Sequence, residues 1–505
     1  MAPASSPETE ARAAAVFALL PFAALTFVVT VATVGKTTRL LVGLTYYILP
    51  ETDAERARAR LARVQSQNAA ARRKEKRRKG GGLASLAAED DEDSIAALKL
   101  TKANLVLKPF WSHFDHLVFF TLAVAVNWAA AECRAAWIHA RIADGSIPET
   151  KPMVLENPLL ALMCVVGTGS ASRALALMEL DRGTPSVEKA LAGAVGVVGF
   201  VASSLLLMLV PDAVLDFEIE RTSVEFAPAV LGAIRRKAGR ALGGALLRAS
   251  ENGAGAGAGP SSFPGGSGSG SLVVSRAQIA IGLSVFAGLL AGSLFPPAVR
   301  ASRSYLMQTS PPAWSASVTR ADATSRRVAH LAFAAPLVAA AAFVSPLARD
   351  PLGLDAAAVA VLRPAALLAA AMLLMLSVPF LVQGHLNGAL VAWYELKFGE
   401  LARGDGAAIR AAARLKVEVT SHVAVKVAVQ AAAPAALMAC LACLLGAKRR
   451  LEPSEEEIGS LTGVIPAACW RTIAGFLGWW VAACWGGFTT LGVALGRNGV
   501  APFAP

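Results

Sequence analysis

Hydrophobic and polar positions alternate along this chain in long blocks, not residue by residue. Nearly charge-free stretches of about 20 residues recur at Ala13–Gly35, His116–Ile138, Pro158–Met178, Ala190–Val210, Ala277–Phe295, Val328–Leu347, Pro364–Val382, Val423–Leu445 and Thr472–Leu495. A hydrocarbon core about 30 Å thick takes about 20 apolar residues of helix to cross. The blocks therefore predict an all-α, polytopic helical membrane bundle of about nine transmembrane helices. The count falls to eight if the first block is cleaved or does not span. Strand-like alternation is absent, which argues against a transmembrane barrel.

The blocks divide the chain into a first transmembrane segment (1–35), a charged loop (36–114), helices two to four (115–210), a second polar excursion (211–275), helices five to nine (276–496) and a tail (497–505). The first block is preceded by Glu8, Glu10 and Arg12, which gives no positive n-region. Its apolar run also exceeds the about 7–15 residues of a signal peptide, so it reads as an uncleaved span. The charged loop predicts a helix over Glu51–Lys79, then a glycine break at Gly80–Gly82 and an acidic cluster at Glu89–Asp93. Trp111, His113 and His116 fall at the next membrane entry; the histidine pair has metal-ligand spacing, but an interfacial belt needs no ligand. In the second excursion, Asp216–Leu247 predicts an amphipathic helix on the membrane surface or docked on the bundle, and Glu251–Ser271 a flexible linker.

Composition agrees with the membrane reading. The 505 residues are 55% hydrophobic and 17% charged, against about 25% charged in soluble domains, and mean hydropathy is +0.52. The net charge of +12 has its densest source at Arg72–Lys79. Such a run could bind nucleic acid or act as an import signal; next to a membrane it reads as a cytosolic loop touching anionic lipid, with no nucleic-acid partner. The expected surroundings are the lipid bilayer, with other membrane proteins or a second copy as candidate partners.

Basic residues are concentrated in the first loop, in Pro297–Arg327 and in Gln383–Ser421. Alternation from an outside N-terminus puts all three in the cytosol together with the C-terminus. Lys448–Arg450 opposes that orientation. Which membrane holds the chain is left open by these charges.

The six cysteines lie in or beside apolar blocks. Cys440 and Cys443 have redox or zinc spacing, but inside a span without flanking ligands they read as packing residues. Gly167-Thr-Gly169 lacks the third glycine and the strand of a dinucleotide fingerprint. No catalytic residue, cofactor site or metal site is expected, and the chain does not read as an enzyme. Small residues four apart mark helix contact faces: Ser284, Gly288 and Gly292 form one ridge and Ala474, Gly478, Ala482 and Gly486 another, with Gly193, Gly196 and Gly199 at shorter spacing. Asn127 reads as a helix–helix hydrogen bond.

Glu418, His422, Lys426 and Gln430 recur every four residues and predict one polar stripe at the start of the eighth span. Ionisable groups within a membrane are costly and face protein or water, so the stripe is the candidate proton, ion or substrate path. In the competing reading Glu418 and His422 sit at the interface and Lys426 snorkels back to it.

Several elements in the C-terminal half resemble the transmembrane protein 161 family. Trp479-Trp480-Val481-Ala482-Ala483-Cys484 resembles its WW-x-A-A-C element, and Pro346-Leu347-Ala348-Arg349-Asp350 its P-[IL]-A-R-D element. Pro297–Arg300, the pair Gln430 and Pro434, Arg235-Arg236-Lys237 after an acidic stretch, and Pro50-Glu51 fit in the same order. The similarity runs from about Leu40 to Arg497; His422, Lys426 and the Gly253–Gly270 linker have no counterpart. It implies a eukaryotic multi-pass membrane protein, in a distant and non-animal branch. Animal members are associated with protection against oxidative stress and with altered ion currents; no catalytic or ligand residues carry over.

Three function classes follow. One is a non-enzymatic protein influencing ion flux or stress response, as a regulator or as a transporter-like bundle with its own ion or proton path. The second is a membrane-embedded lipid enzyme, which six scattered histidines do not favour. The third is a scaffold.

Overall fold

The computed structural model describes residues 21–33, 36–48, 95–143, 158–180, 185–225, 275–349, 353–399, 406–448 and 467–498, apart from single positions 216, 312 and 314. The expected helix Glu51–Lys79, the basic run Arg72–Lys79, the linker Glu251–Ser271 and Asp350 lie outside them.

The larger helices are α1 (Pro21–Thr33), α2 (Trp111–Ala143), α3 (Pro158–Leu180), α4 (Ser186–Leu209), α5 (Arg276–Thr309), α6 (Ala323–Ala341), α7 (Ala356–Gly399), α8 (Gly406–His422), α9 (Ala424–Lys448) and α10 (Ala467–Arg497). Their starts carry local signals. Ser275 and Gln278 form a capping box at α5, and Asp322 caps α6 by accepting from the Ser325 amide. Capping side chains satisfy first-turn N–H groups that have no partner inside a helix. Pro296 and Pro297 stand inside α5, as neighbouring helices in a membrane bundle allow.

Among the described residues seven helices are long and apolar enough to cross a membrane: α2, α3, α4, α5, α7, α9 and α10. The protein is an all-α, multi-pass membrane bundle. The expected count of about nine is corrected at the sixth block. The first block lies partly outside the described residues, of which Pro21–Thr33 form α1. The sixth block, expected to run to Leu347, forms the 19-residue α6, which starts on Arg326, Arg327 and His330 and ends at Ala341. The chain unwinds after Ala341 because other groups take its backbone bonds. Ser345 N–H donates to the Val214 carbonyl, and the Arg363 guanidinium reaches the Phe343 carbonyl at 3.4 Å.

Contacts fix the helix directions. α1 runs against α2, with Phe22 near Arg134 and Thr26 near Asn127. α4 runs against α5, and α5 runs beside α10, with Ala287 near Trp480 and Ser302 near Gly492. α3 runs against α9, with Gly167 opposite Cys440 and Glu179 bonded to Gln430. The helix ends consequently gather into two sets. One set carries a small antiparallel hairpin, β1 (Thr45–Ile48) paired with β2 (Ala96–Lys99). This short strand pair stands beside the all-α bundle; Tyr46, Tyr47 and Ile48 supply its β-favouring residues.

α7 has 44 residues, about 66 Å at 1.5 Å per residue, or twice the hydrocarbon thickness. Its last turns project past the bundle at the hairpin end. There Leu390 and Trp393 pack on Tyr47 of β1 and Val417 of α8, and burial pushes the Tyr47 hydroxyl up to about 12. At the opposite end residues 211–225 dock on the bundle, with Phe217 and Ile219 buried and Thr222 sharing a 2.7 Å hydrogen bond with Thr472 of α10. α9 is the axis: every residue of its apolar core is buried by the helices around it.

Candidate functional site

The sequence of α9 places one carboxamide among Ala, Val, Leu and Cys near its start. Gln430 is 2% exposed, and its Nε2 donates to Oε1 of Glu179 at 3.1 Å. Glu179 is the penultimate residue of α3, and Glu188 lies in the first turn of α4. The short connection between these helices brings both carboxylates to the hairpin end. Arg300 of α5 lies between them. Its Nη2 donates to Glu188 Oε2, and its Nη1 stands 3.7 Å from Glu179 Oε1. Both carboxylate side chains are about nine-tenths buried (10% and 11% exposed).

Glu179 is only half satisfied. Its Oε2 is buried and has no hydrogen-bond partner among the described residues. Lys426 is near enough to act on it electrostatically, and the Lys426 ammonium also stands 6.0 Å from the Phe110 ring centre. Two carboxylates thus face two cations around the enclosed helix, a balance that avoids an isolated buried charge. His385 of α7 extends the polar zone. It hydrogen-bonds the Thr420 backbone, has no hydrogen-bond partner for its buried Nε2 among the described residues, and lies within electrostatic reach of Arg300 and Arg303.

The four residues of the expected stripe fall on two helices, because α8 ends at His422 and α9 starts at Ala424. Glu418 is exposed and accepts from Arg414 Nε at 2.9 Å, and His422 is exposed as well. Lys426 and Gln430 join the Glu179 cluster. Lys108 fastens the break by donating to the Ser421 carbonyl, and burial pushes its ammonium below the ordinary lysine range. Burial, with Arg303 nearby, does the same to Lys416 on α8.

The ridge residues meet other helices of the same chain. A Cβ at Gly288 would lie 2.8 Å from the Gly196 carbonyl oxygen, and one at Gly292 2.7 Å from that of Ala192. Gly478 faces Leu367 of α7, and Gly486 faces Leu337 of α6. The double-tryptophan element packs internally: Trp480 Nε1 donates to the Ala287 carbonyl at 2.8 Å, Trp479 lies 5.8 Å from the Phe217 ring, and Cys484 is buried. Pro346 and Arg349 are exposed in a one-turn helix at the far end. Asn127 donates to Thr26 Oγ1 of α1 at 3.0 Å.

The sequence alone does not single out Glu179, Glu188 and Arg300 as site residues. Each stands at the edge of an apolar block, where single charges are ordinary interfacial residues. Only helix packing reveals that the three edges coincide. Among the described residues no three His, Cys, Asp or Glu side chains converge as a metal site requires. No family model matches the chain, and neither a curated protein nor a solved structure is similar to it.

Proposed function

We propose that this multi-pass membrane protein acts on ion flux, without enzymatic chemistry, through the cluster of Glu179, Glu188, Arg300, Lys426 and Gln430. The observation that carries the proposal is the half-satisfied Glu179: a buried carboxylate, one oxygen held by the enclosed helix and the other without a hydrogen-bond partner among the described residues. Ionisable groups inside a membrane bundle are expensive and mark ion or proton paths. Arg300 is shared unequally by two carboxylates. A proton or small cation arriving at Glu179 would compete with it, which provides a means of coupling occupancy to the α4–α5 contact. The resemblance to the transmembrane protein 161 family, whose animal members alter ion currents, supports the same reading. The described parts of Pro297–Arg327 and Gln383–Ser421 lie at the hairpin end, and the excess of basic residues in those stretches supports assigning that end to the cytosol.

A second reading, a regulator of another membrane protein, is favoured by the close packing of α9, buried throughout its apolar core. Reconstitution separates the two. Liposomes containing the purified protein are expected to pass protons, potassium or calcium faster than protein-free liposomes, and Glu179→Gln is expected to remove that flux at an unchanged level of folded protein. Absence of flux for all three ions would leave the regulator reading; flux unaltered by Glu179→Gln would remove the cluster from the mechanism.

A further inference from the structure

His385 stands at the edge of the Glu179 cluster and shares its central cation. It lies on α7 two residues after Gln383, whose carboxamide bonds both the N–H and the carbonyl of Thr45 on β1. His385 is therefore on the hairpin side of the cluster. The ring donates to the Thr420 backbone of α8, which leaves the lone pair of the neutral ring on Nε2. That nitrogen is buried and has no hydrogen-bond partner among the described residues. Arg300 and Arg303 of α5 are the charges that act on it.

Glu179 presents the same situation on α3, with a buried Oε2 that has no hydrogen-bond partner among the described residues. The groups facing it are Glu188 of α4, Arg300 of α5, and Lys426 and Gln430 of α9. Its side chain keeps 10% of its surface exposed, which leaves a way in. Arg300 acts on both Glu179 and His385. Two buried lone pairs that lack a donor thus gather around one guanidinium.

The neighbours of Glu179 decide which ion suits it. Calcium takes about six to eight oxygen ligands, and potassium exchanges its water for rings of carbonyls. Glu179 is faced instead by a guanidinium, an ammonium and the Gln430 amide, all of them donors. Donors repel a metal cation and cannot ligate it. A proton needs one lone pair and no shell.

We propose that the ion is the proton, with Glu179 Oε2 and His385 Nε2 as its two acceptors inside the bundle. The inference rests on the ion-flux reading and names its ion. Uptake forms an O–H bond on Glu179 and turns the carboxylate into a neutral carboxyl. Release breaks that bond; the proton then forms an N–H bond on His385 and leaves to water at the hairpin end. No oxidant or reductant takes part. Glu and His side chains are the usual groups of intramembrane proton relays.

Planar bilayers holding the full chain identify the ion without a variant. Under a pH step, the reversal potential is expected to follow that step and to stay in place when potassium or calcium is changed several-fold on one side. A reversal potential that follows potassium or calcium overturns the proton and leaves the ion-flux reading standing. Absence of any protein-dependent current removes both. In liposomes with an internal pH indicator, Glu179→Gln should bring proton entry down to the protein-free rate. His385→Asn keeps an amide donor for the Thr420 backbone but lacks the Nε2 lone pair, and should slow entry several-fold at an unchanged yield of folded protein. The pH profile separates an acceptor from a packing residue: the wild-type rate is expected to show two titration steps and His385→Asn one. An unaltered rate, or two steps in His385→Asn, overturns the assignment of His385.

Discussion

α4 and α9 are almost interchangeable as strings of letters: each is an apolar helix of membrane-crossing length. In the bundle they occupy opposite situations. Every residue in the core of α9 is enclosed, whereas 17% of the corresponding stretch of α4 is buried. The difference follows side-chain size. α9 is rich in Ala, with ten among its 25 residues, which lets α2, α3, α7 and α10 approach it closely. α4 turns Val197, Val198, Val201 and Leu205 outward and touches α5 through Gly196 and Gly199. Lipid is as apolar as leucine, so hydrophobicity alone does not draw a helix inward; close packing and polar contacts do. α9 has both, through its alanines and through Gln430.

The largest expected effect comes from the charges around α9. Arg300→Ala leaves Glu179 and Glu188 facing each other without the guanidinium. Removing one partner of a buried pair costs about 3–5 kcal/mol. Thermal unfolding in detergent micelles should show a larger fall in Tm than any packing or surface substitution in the bundle produces. Adding Glu188→Gln should restore part of the loss, because one of the stranded charges is then gone. Additive losses in the double variant would mean that Arg300 and Glu188 do not act as a pair.

Packing gives the next largest effect and tests the contrast between the two helices directly. Ala432 on α9 is fully buried. Ala432→Leu forces extra methylenes into closed space, at about 1–3 kcal/mol. Val198 on α4 is 66% exposed, and Val198→Leu should stay within about 0.5 kcal/mol, as exposed substitutions generally do. Equal Tm shifts in the two variants would break the distinction between an axial and a peripheral helix.

Helix type and most helix positions were legible because apolar length is a local property of the sequence. The ridge residues Gly288, Gly292, Gly478 and Gly486 were legible as contact residues, but not their partners, which depend on which helices meet. α6 misled through its alanines, which extend an apolar run without much hydropathy, and through an end set by Val214 and Arg363, far away in the sequence. The hairpin was hidden because its strands are four residues each and are separated by the 47 residues 49–95. Two of the five residues of the candidate site were visible, Lys426 and Gln430. The carboxylates were not, since Glu179 and Glu188 look like ordinary helix-end residues until α3, α4 and α9 are packed together.

A smaller effect is expected at the far end, where residues 211–225 dock. Thr472 Oγ1 donates to the Phe217 carbonyl at 2.6 Å and shares a 2.7 Å bond with Thr222. Thr472→Val keeps the shape and strands those partners, which costs about 1–3 kcal/mol for a buried polar group left unmade. A Tm drop at the low end of that range, with faster proteolysis within 211–225, would mark the segment as a docked part of the bundle. Unchanged protease sensitivity would show that it is held by Phe217 and Ile219 alone.

The smallest effect belongs to Glu418, and it separates the two ends of the expected stripe. Its carboxylate is half exposed and accepts from Arg414 four residues earlier on the same helix. Exposed pairs of this kind contribute about 0.3–0.5 kcal/mol and are weakened by salt. Glu418→Ala should therefore lower Tm barely, and less at high ionic strength. Flux in liposomes should remain at the wild-type level. Gln430→Leu, further along the chain but inside the bundle, strands the Glu179 carboxylate and should impair both. If Glu418→Ala abolishes flux while Gln430→Leu leaves it intact, the ion path runs along the surface of α8, and the enclosed cluster is only a structural joint.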